Sequence, residues 1–390
     1  MFEKPLGMRD TLPKLYETKH KIRTKMENAI RKWGYQYIET PTLEYYETVG
    51  AASAILDQQL FKLLDQQGHT LVLRPDMTAP IARVAASRLM DQDLPLRIAY
   101  SANVYRAQQR EGGRPAEFEQ VGVECISDKT VSSDGEVISL LIASVEEAGL
   151  SEFKLSIGHM AFVQELFLQI LGTEERANTL RKFLYEKNYV GYREHVKSLQ
   201  LSSIDKQRLL DFLDLRGGVE VIEKAQAIME NEKGREAIVQ LQELWDILAD
   251  YEEEQRIKFD LTLVSHMSYY TGILFEMYAG QVGFPIANGG RYDGLLAKFG
   301  KDTSATGFAI RLDRLLEALS DDATNEPVYC ILFSGERRKE AFQYAKKMRA
   351  EGKSVVLQDI NGVNNLDACT DQYDEITFLV GKQERGFDNE

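Results

Sequence analysis

The sequence predicts an α+β fold: an antiparallel sheet with flanking helices, interrupted by a helical insertion and followed by a short C-terminal α/β unit. Three observations carry that expectation. Residues 96–105 and 117–126 are long strand-like runs, and the stretch between them is a loop by its glycine and proline content. Residues 161–256 lose strand texture, contain no proline and read as charged helical repeats. After a polar segment, 320–327, strand and helix patterns alternate again to the end of the chain.

The elements follow in order. Residues 14–33 read as a helix, because Leu15, Ile22, Met26, Ala29 and Ile30 fall on one face and Gly34 sits where a left-handed stop belongs. Aromatic and β-branched residues make 35–39 a strand, ended by Pro41. A short apolar strand at 70–73 precedes helical spacing over 78–90. The 96–105 and 117–126 runs form an antiparallel pair with a long loop. Residues 137–148 are helical and 153–157 alternate as a strand. The insertion spans about 161–256, with a small domain of its own as an alternative reading. Strand texture resumes at 259–264 and 273–278. Asn288-Gly289-Gly290 reads as a turn leading into Arg291-Tyr292-Asp293-Gly294, and 307–319 as the last helix of this part. Beyond the linker, 328–333, 354–357 and 376–380 are strands and 336–349 is a helix. The expected domains are therefore 1–320 and 328–390.

Composition narrows the class of protein. The chain has 390 residues, 47 basic and 61 acidic, for a net charge of −14. That length suggests two or three domains with full cores. Cys125, Cys330 and Cys369 are odd in number and far apart, which argues against a disulfide framework and against a zinc site. No apolar run reaches the roughly 18 residues of a membrane span. The first residues lack the apolar core of a signal peptide. A reduced, cytoplasmic protein is expected, and the acidic balance removes the simplest reason to expect nucleic acid.

Five segments carry the chemistry together: Leu73-Arg74-Pro75-Asp76-Met77-Thr78; Tyr105-Arg106 with Phe118-Glu119-Gln120-Val121-Gly122-Val123-Glu124; Tyr269-Tyr270-Thr271-Gly272; Gly289-Gly290-Arg291-Tyr292-Asp293; and Gly307-Phe308-Ala309-Ile310-Arg311-Leu312-Asp313-Arg314. Their order and spacing over roughly residues 1–320 resemble the catalytic domain of histidyl-tRNA synthetase, a class II aminoacyl-tRNA synthetase. The resemblance implies that Arg106 grips an α-phosphate and that Arg314 backs the terminal phosphates, a task suited to the planar guanidinium fork. It places Asp76, Thr78 and Gln120 at the α-ammonium of a bound histidine. It places Glu124 and Tyr270 at the two ring nitrogens, with Tyr269 beside them. A neutral imidazole has one donor and one acceptor, so a carboxylate and a phenol suit it. Tyr269 and Tyr270 are expected on opposite strand faces. The segment around Pro41 resembles the class II dimerisation motif, which implies a homodimer core.

The departures from that family redirect the reading. Ser265 stands where the family has an arginine on the substrate carboxylate, and a stabiliser of that kind is worth roughly 3–4 kcal/mol. His266, at the next position along a strand, faces the other way. Gln108 replaces a glutamate that reads adenine, Arg311 replaces a glycine beside the nucleotide, and Asp76 is one methylene shorter than the family's glutamate. The C-terminal unit is too short and too acidic for a full anticodon-binding domain. This pattern resembles the regulatory subunits of ATP phosphoribosyltransferase, synthetase-like paralogues that aminoacylate nothing. That resemblance implies no cofactor, no tRNA and no membrane. It implies assembly with the short-form catalytic subunit, in a hetero-octamer, and binding of L-histidine for feedback inhibition of the first step of histidine biosynthesis. An active or degenerate histidyl-tRNA synthetase is the alternative, and an RNA-binding regulator on the same scaffold is a third reading. Locally, Arg74 and Arg106 also fit ion-paired surface arginines, and Glu124 fits a solvated strand face.

Overall fold

A computed structural model describes residues 3–90, 95–107, 115–265, 269–280, 282–319 and 327–381. The chain forms two compact units, Met1–Ser320 and Asp321–Glu390.

The larger unit opens with helix α1 (Pro13–Lys32). Its buried Ile22, Met26, Ala29 and Ile30 repeat at helical spacing, proline takes its first position, and Gly34 follows at φ +83°. Strand β1 (Gln36–Tyr37) leads to a small antiparallel sheet of β2 (Leu43–Tyr45), β3 (Lys62–Leu64) and β4 (Thr70–Leu73). Helix α2 (Thr78–Val84) continues as a wider turn, Ala85–Leu89. Strands β5 (Leu96–Tyr105) and β6 (Glu117–Ile126) pair antiparallel over ten residues, and helix α3 (Val131–Ala148) and strand β7 (Phe153–His159) follow.

The insertion contains α4 (Met160–Leu171), α5 (Glu174–Tyr185), α6 (Tyr189–Ser198), α7 (Ser203–Asp211), α8 (Glu220–Ile228) and α9 (Glu232–Asp250). Side chains of Asn188, Ser202 and Asn231 cap α6, α7 and α9 at their N-termini. One strand does interrupt it: β8 (Arg216–Gly217), which pairs with β9 (Ile257–Asp260). Two residues carry too little alternation to be seen in a sequence. The insertion is also not a core of its own. Phe167, Tyr192, Phe212 and Leu241 share one continuous apolar cluster with Met26, Ile30, Val123 and Leu141.

Strands β10 (Ile273–Ala279), β11 (Ala287–Arg291) and β12 (Ala305–Arg311), then helix α10 (Leu312–Ala318), complete the unit. Among the described residues the main sheet has nine strands, in the order β1-β5-β6-β12-β11-β10-β7-β9-β8. Its centre is antiparallel, and β1 and β9 join it parallel to β5 and β7.

Two sequence expectations fail here for one reason. Residues 307–319 are not one helix, because Ala305–Arg311 is a strand whose Phe308 and Ile310 enter one core while Ala305, Gly307 and Ala309 line the other face. Asn288-Gly289-Gly290 is not a turn but the middle of β11. A Cβ at Gly289 would run into the Phe275 ring and the Gly307 carbonyl. These glycines mark close packing between strands, a meaning that a turn propensity does not distinguish.

Strand β6 sorts the unit into two sides. Val121, Val123 and Cys125 point to the core under α1 and α3. Phe118, Gln120, Gly122 and Glu124 point the other way, towards α2 and the small sheet, where Val72, Ile81, Tyr100 and Tyr292 pack.

The smaller unit is a parallel sheet in the order β14-β13-β15, from β13 (Val328–Phe333), β14 (Ser354–Asp359) and β15 (Glu375–Leu379). Helix α11 (Arg338–Ala350) buries Ala341, Ala345 and Met348 against Ile331 and Phe333, and a short α12 (Leu366–Thr370) follows. The sequence pattern anticipates the three strands and α11 but not α12; the expected linker, 320–327, lies outside the described residues except for Pro327. No helix among the described residues is long and apolar enough to cross a membrane.

Strand β11 is tied to α3 by a buried ion pair. Arg291 Nε and Nη2 donate to Asp134 Oδ2 at 2.9 and 2.7 Å, and the same guanidinium donates to the carbonyls of Asp128 and Thr130 at 3.0 and 2.8 Å. Asp134→Ala removes the nearest carboxylate from that buried charge and leaves only Asp293, at 3.8 Å, so it is expected to cost about 3 kcal/mol. Urea denaturation checks this, as a lower midpoint at unchanged slope.

Candidate functional site

The polar residues of the sequence motifs meet on the β6 face that looks towards α2. The register fixes the floor: Glu124 lies opposite Gly307, Gly122 opposite Ala309, and Gln120 opposite Arg311. A Cβ on Gly307 would overlap the Glu124 carboxylate, so glycine there is what leaves the acid its room. Asp76, Thr78, Arg106, Tyr269 and Tyr270 close the cavity with Tyr100, Asn288 and Tyr292.

Each acid is held differently. Asp76 is 3% exposed. It accepts from Ser53 Oγ at 2.6 Å and from the Ala79 backbone N–H at 3.1 Å, just inside α2. Helix geometry therefore aims this carboxylate. Glu124 is 2% exposed, and the Tyr292 hydroxyl donates to its Oε2. Burial pushes its carboxyl up to about 8, against the pull of hydrogen bonds from Tyr292 and Thr78; the nearby Asp76 charge adds to the rise. Gln120 is also buried, and its Oε1 has no hydrogen-bond partner among the described residues. A buried acceptor left open beside a cavity is a place for a ligand donor.

Tyr269 and Tyr270 depart from expectation. They lie in the turn ahead of β10 rather than within a strand, and both line the cavity. Their rings stand 4.9 Å apart, and Tyr269 meets Tyr292 edge-on at 5.6 Å. Tyr270 shares hydrogen bonds with Asn288 and Tyr269, and burial raises its phenol well above the usual range. Both phenols stay neutral at ordinary pH and serve as donors or acceptors.

At the other end Arg106 lines the cavity, with its Nε donating to the Pro75 carbonyl at 2.8 Å. Arg314 does not line it. Its guanidinium donates to the Pro285 carbonyl at 2.5 Å and lies over the Phe284 ring. Arg74 is neither a surface arginine nor a site residue. It is buried and donates to the carbonyls of Thr40 and Asn103 at 2.7 and 2.8 Å. Ser265 does not line the cavity. Gln108 and His266 lie outside the described residues. Among the described residues no group of three or more His, Cys, Asp or Glu could hold a metal ion.

The sequence reading missed Tyr100, Asn288 and Tyr292 as lining groups. Tyr292 sits within a motif that was singled out, but reading its neighbours as a turn hid the side of the strand it shares with Glu124. A larger hollow of about 520 Å³ lies elsewhere, beside α1 and residues 38–42. Its Lys19 and Arg23 both pair with Glu119.

A sheet of this order, with a cavity holding two buried acids on one face, defines a class II aminoacyl-tRNA synthetase-like protein. The histidyl-tRNA synthetase family matches residues 7–315, and the family described as "Histidyl-tRNA synthetase HisZ, C-terminal domain" matches residues 330–381. A histidyl-tRNA synthetase from Nostoc sp. PCC 7120 superposes with a TM-score of 0.80 over 95% of this chain and 89% of its own; at 20% identity it supports the fold alone. Higher similarity lies with a second group. The ATP phosphoribosyltransferase regulatory subunit of Geobacillus kaustophilus is 63% identical over 99% of this chain and 98% of that protein. That of Bacillus subtilis is 58% identical over 98% and 97%. A crystal structure of an ATP phosphoribosyltransferase regulatory subunit/histidyl-tRNA synthetase from Bacillus halodurans superposes with a TM-score of 0.93 at 58% identity, covering 98% of this chain and 99% of that one. The chain belongs to the family of ATP phosphoribosyltransferase regulatory subunits.

The protonation of Glu124 makes a pH test. The folded chain keeps that proton up to about 8, whereas an unfolded glutamate releases it near 4.5. The folded state therefore holds more protons between these values, so this group's contribution to stability is greatest below the lower value and falls as pH rises through the upper one. Glu124→Gln removes the dependence. Its melting temperature relative to the native chain should rise between about pH 5 and about pH 9, as read by scanning calorimetry.

Proposed function

We propose that this chain is the histidine-sensing, non-catalytic subunit of an ATP phosphoribosyltransferase, and that the cavity between β6 and α2 binds L-histidine. One observation carries the reading. The cavity pairs buried acids and neutral phenols with an open amide acceptor, the complement of an imidazole-bearing amino acid.

The chemistry of each group supports it. Asp76, with its lone pairs aimed by α2, suits an α-ammonium, and Thr78 and the open Gln120 oxygen suit its remaining protons. Glu124 and Tyr270 suit the donor and the acceptor of a neutral imidazole. Glu124 keeps its own proton up to about 8, above the ordinary imidazole value, and so can donate it as a hydrogen bond to a ring nitrogen. Tyr269 and Tyr292 hold the two reading groups in place. Arg106, at the opposite end, suits the carboxylate. Binding then requires no chemistry on the ligand, only recognition of both of its ends.

Regulation follows by linkage. The relatives are named regulatory subunits of ATP phosphoribosyltransferase, which supports a catalytic subunit of that enzyme as the partner in this reading, with both acting in the cytoplasm. A histidine that binds one quaternary state more tightly lowers activity by that differential affinity, and the catalytic subunit's state reciprocally changes histidine affinity. A homodimer of this chain at the core of a hetero-octamer suits such coupling. Arg106 and Arg314 would then be remnants of a phosphate site rather than catalytic groups.

Three measurements test this. Isothermal titration should show stoichiometric L-histidine binding that Glu124→Gln weakens by about tenfold, the loss of one hydrogen bond. The purified chain should give no histidine-dependent exchange of pyrophosphate into ATP, and robust exchange would overturn the reading. Reconstituted with a short-form catalytic subunit, the native chain should confer histidine inhibition that the Glu124→Gln chain loses.

A further inference from the structure

The floor of the cavity ends abruptly. Gly307 and Ala309 line the cavity, and Arg311, the next residue on that face of β12, stands just past the lining. The first two are small and leave the floor bare beside Glu124 and Gly122. The third is the largest cation the chain can place there. From Gly307 to Arg311 the strand advances about 13 Å, longer than the reach of one amino acid.

What Arg311 covers is an aromatic surface. Its guanidinium lies over the Phe118 ring, 3.7 Å from the centroid, and Phe118 shares the Gln120–Glu124 face of β6. The guanidinium is fixed from behind by a two-pronged ion pair with Asp313, Nε to Oδ1 at 3.2 Å and Nη2 to Oδ2 at 2.7 Å. Arg106 marks the passage between the two regions. It lines the cavity and its guanidinium also lies 5.3 Å from the Phe118 centroid. A ligand whose carboxyl end lies at Arg106 and is extended by an aromatic group therefore runs directly onto Phe118, and that face is already taken.

We propose that Arg311 is the specificity-determining end wall of the cavity: seated on Phe118, it confines the site to the free amino acid and rejects α-amino acids extended at the carboxyl group by an aromatic substituent. The inference rests on the reading of the cavity as a histidine site. The chain supplies its own occupant for the aromatic surface. A competing ring must displace a cation held at once by a carboxylate and by a π-face, and both interactions are lost together.

The test uses the full chain and three probes: L-histidine, L-histidinamide and L-histidine β-naphthylamide. The last two share one charge state and differ in the size of the carboxyl substituent, so their affinity ratio reports the wall and not the loss of the carboxylate. For the native chain the amide should bind at least about 100-fold more tightly than the naphthylamide, a steric discrimination, and in Arg311→Gly and Arg311→Ala that ratio should fall by about tenfold or more. Asp313→Asn, which frees the guanidinium without removing it, should lower the ratio part of the way, and it carries the test if the Arg311 variants do not fold. Near-equal binding of the two amides by the native chain overturns the proposal, and so does an unchanged ratio in folded variants. A native chain that binds no L-histidine overturns the site reading and this inference with it; one that binds L-histidine with an unmoved ratio overturns this inference alone.

Discussion

A carboxylate kept out of water is the constraint around which the rest of the cavity is arranged. Glu124 stands in the middle of the sheet, where a charge is costly, and three features make it tolerable. Gly307 across the register gives it space, Tyr292 donates to it, and Thr78 from the start of α2 approaches from above. Each belongs to a different element, so the acid can be accommodated only when β6, β11–β12 and α2 are all in place. The cavity is in this sense a report on the assembled fold, and a ligand that interacts with Glu124 acts on all of those elements together.

The same strand explains how core and site coexist. Along the middle of β6, Val121, Val123 and Cys125 anchor α1 and α3, while Gln120, Gly122 and Glu124 between them face the cavity. A period of two lets one ten-residue segment serve stability and recognition without compromise between them. The Arg291–Asp134 pair extends that arrangement. It fixes the strand that presents Asn288 and Tyr292 to the helix on the far side of the sheet, so the cavity walls are braced from the apolar side as well.

Much of this was legible in the sequence. The long antiparallel pair, the first helix and the insertion have strong periodicity. Asp76, Thr78, Gln120, Glu124, Tyr269 and Tyr270 could be singled out because their motifs are local, and the cavity brings them together with Arg106. What could not be read was long-range. Glycines at 289, 290 and 307 look like turn residues until the neighbouring strand is known, so a strand was taken for a helix and another for a loop, and Tyr292 went unassigned. Arg314 carries a motif position but is bound to the Pro285 carbonyl, a partner 29 residues away that no spacing rule indicates. Arg74 likewise spends its donors on distant carbonyls, which makes it part of the scaffold.

The helical insertion is joined to its host twice. Strand β8 is zipped onto the sheet edge through β9, and the apolar side chains of α4 and α9 merge with those of α3 in one cluster. Such a segment cannot behave as a cassette. Excising it would lay bare an oily wall of the host and strip the last sheet edge of its neighbour, so descent with modification can reshape its outer surface freely but must preserve its inner one residue by residue. Any new surface that the insertion evolves is therefore carried on a body already continuous with the sheet that bears the cavity.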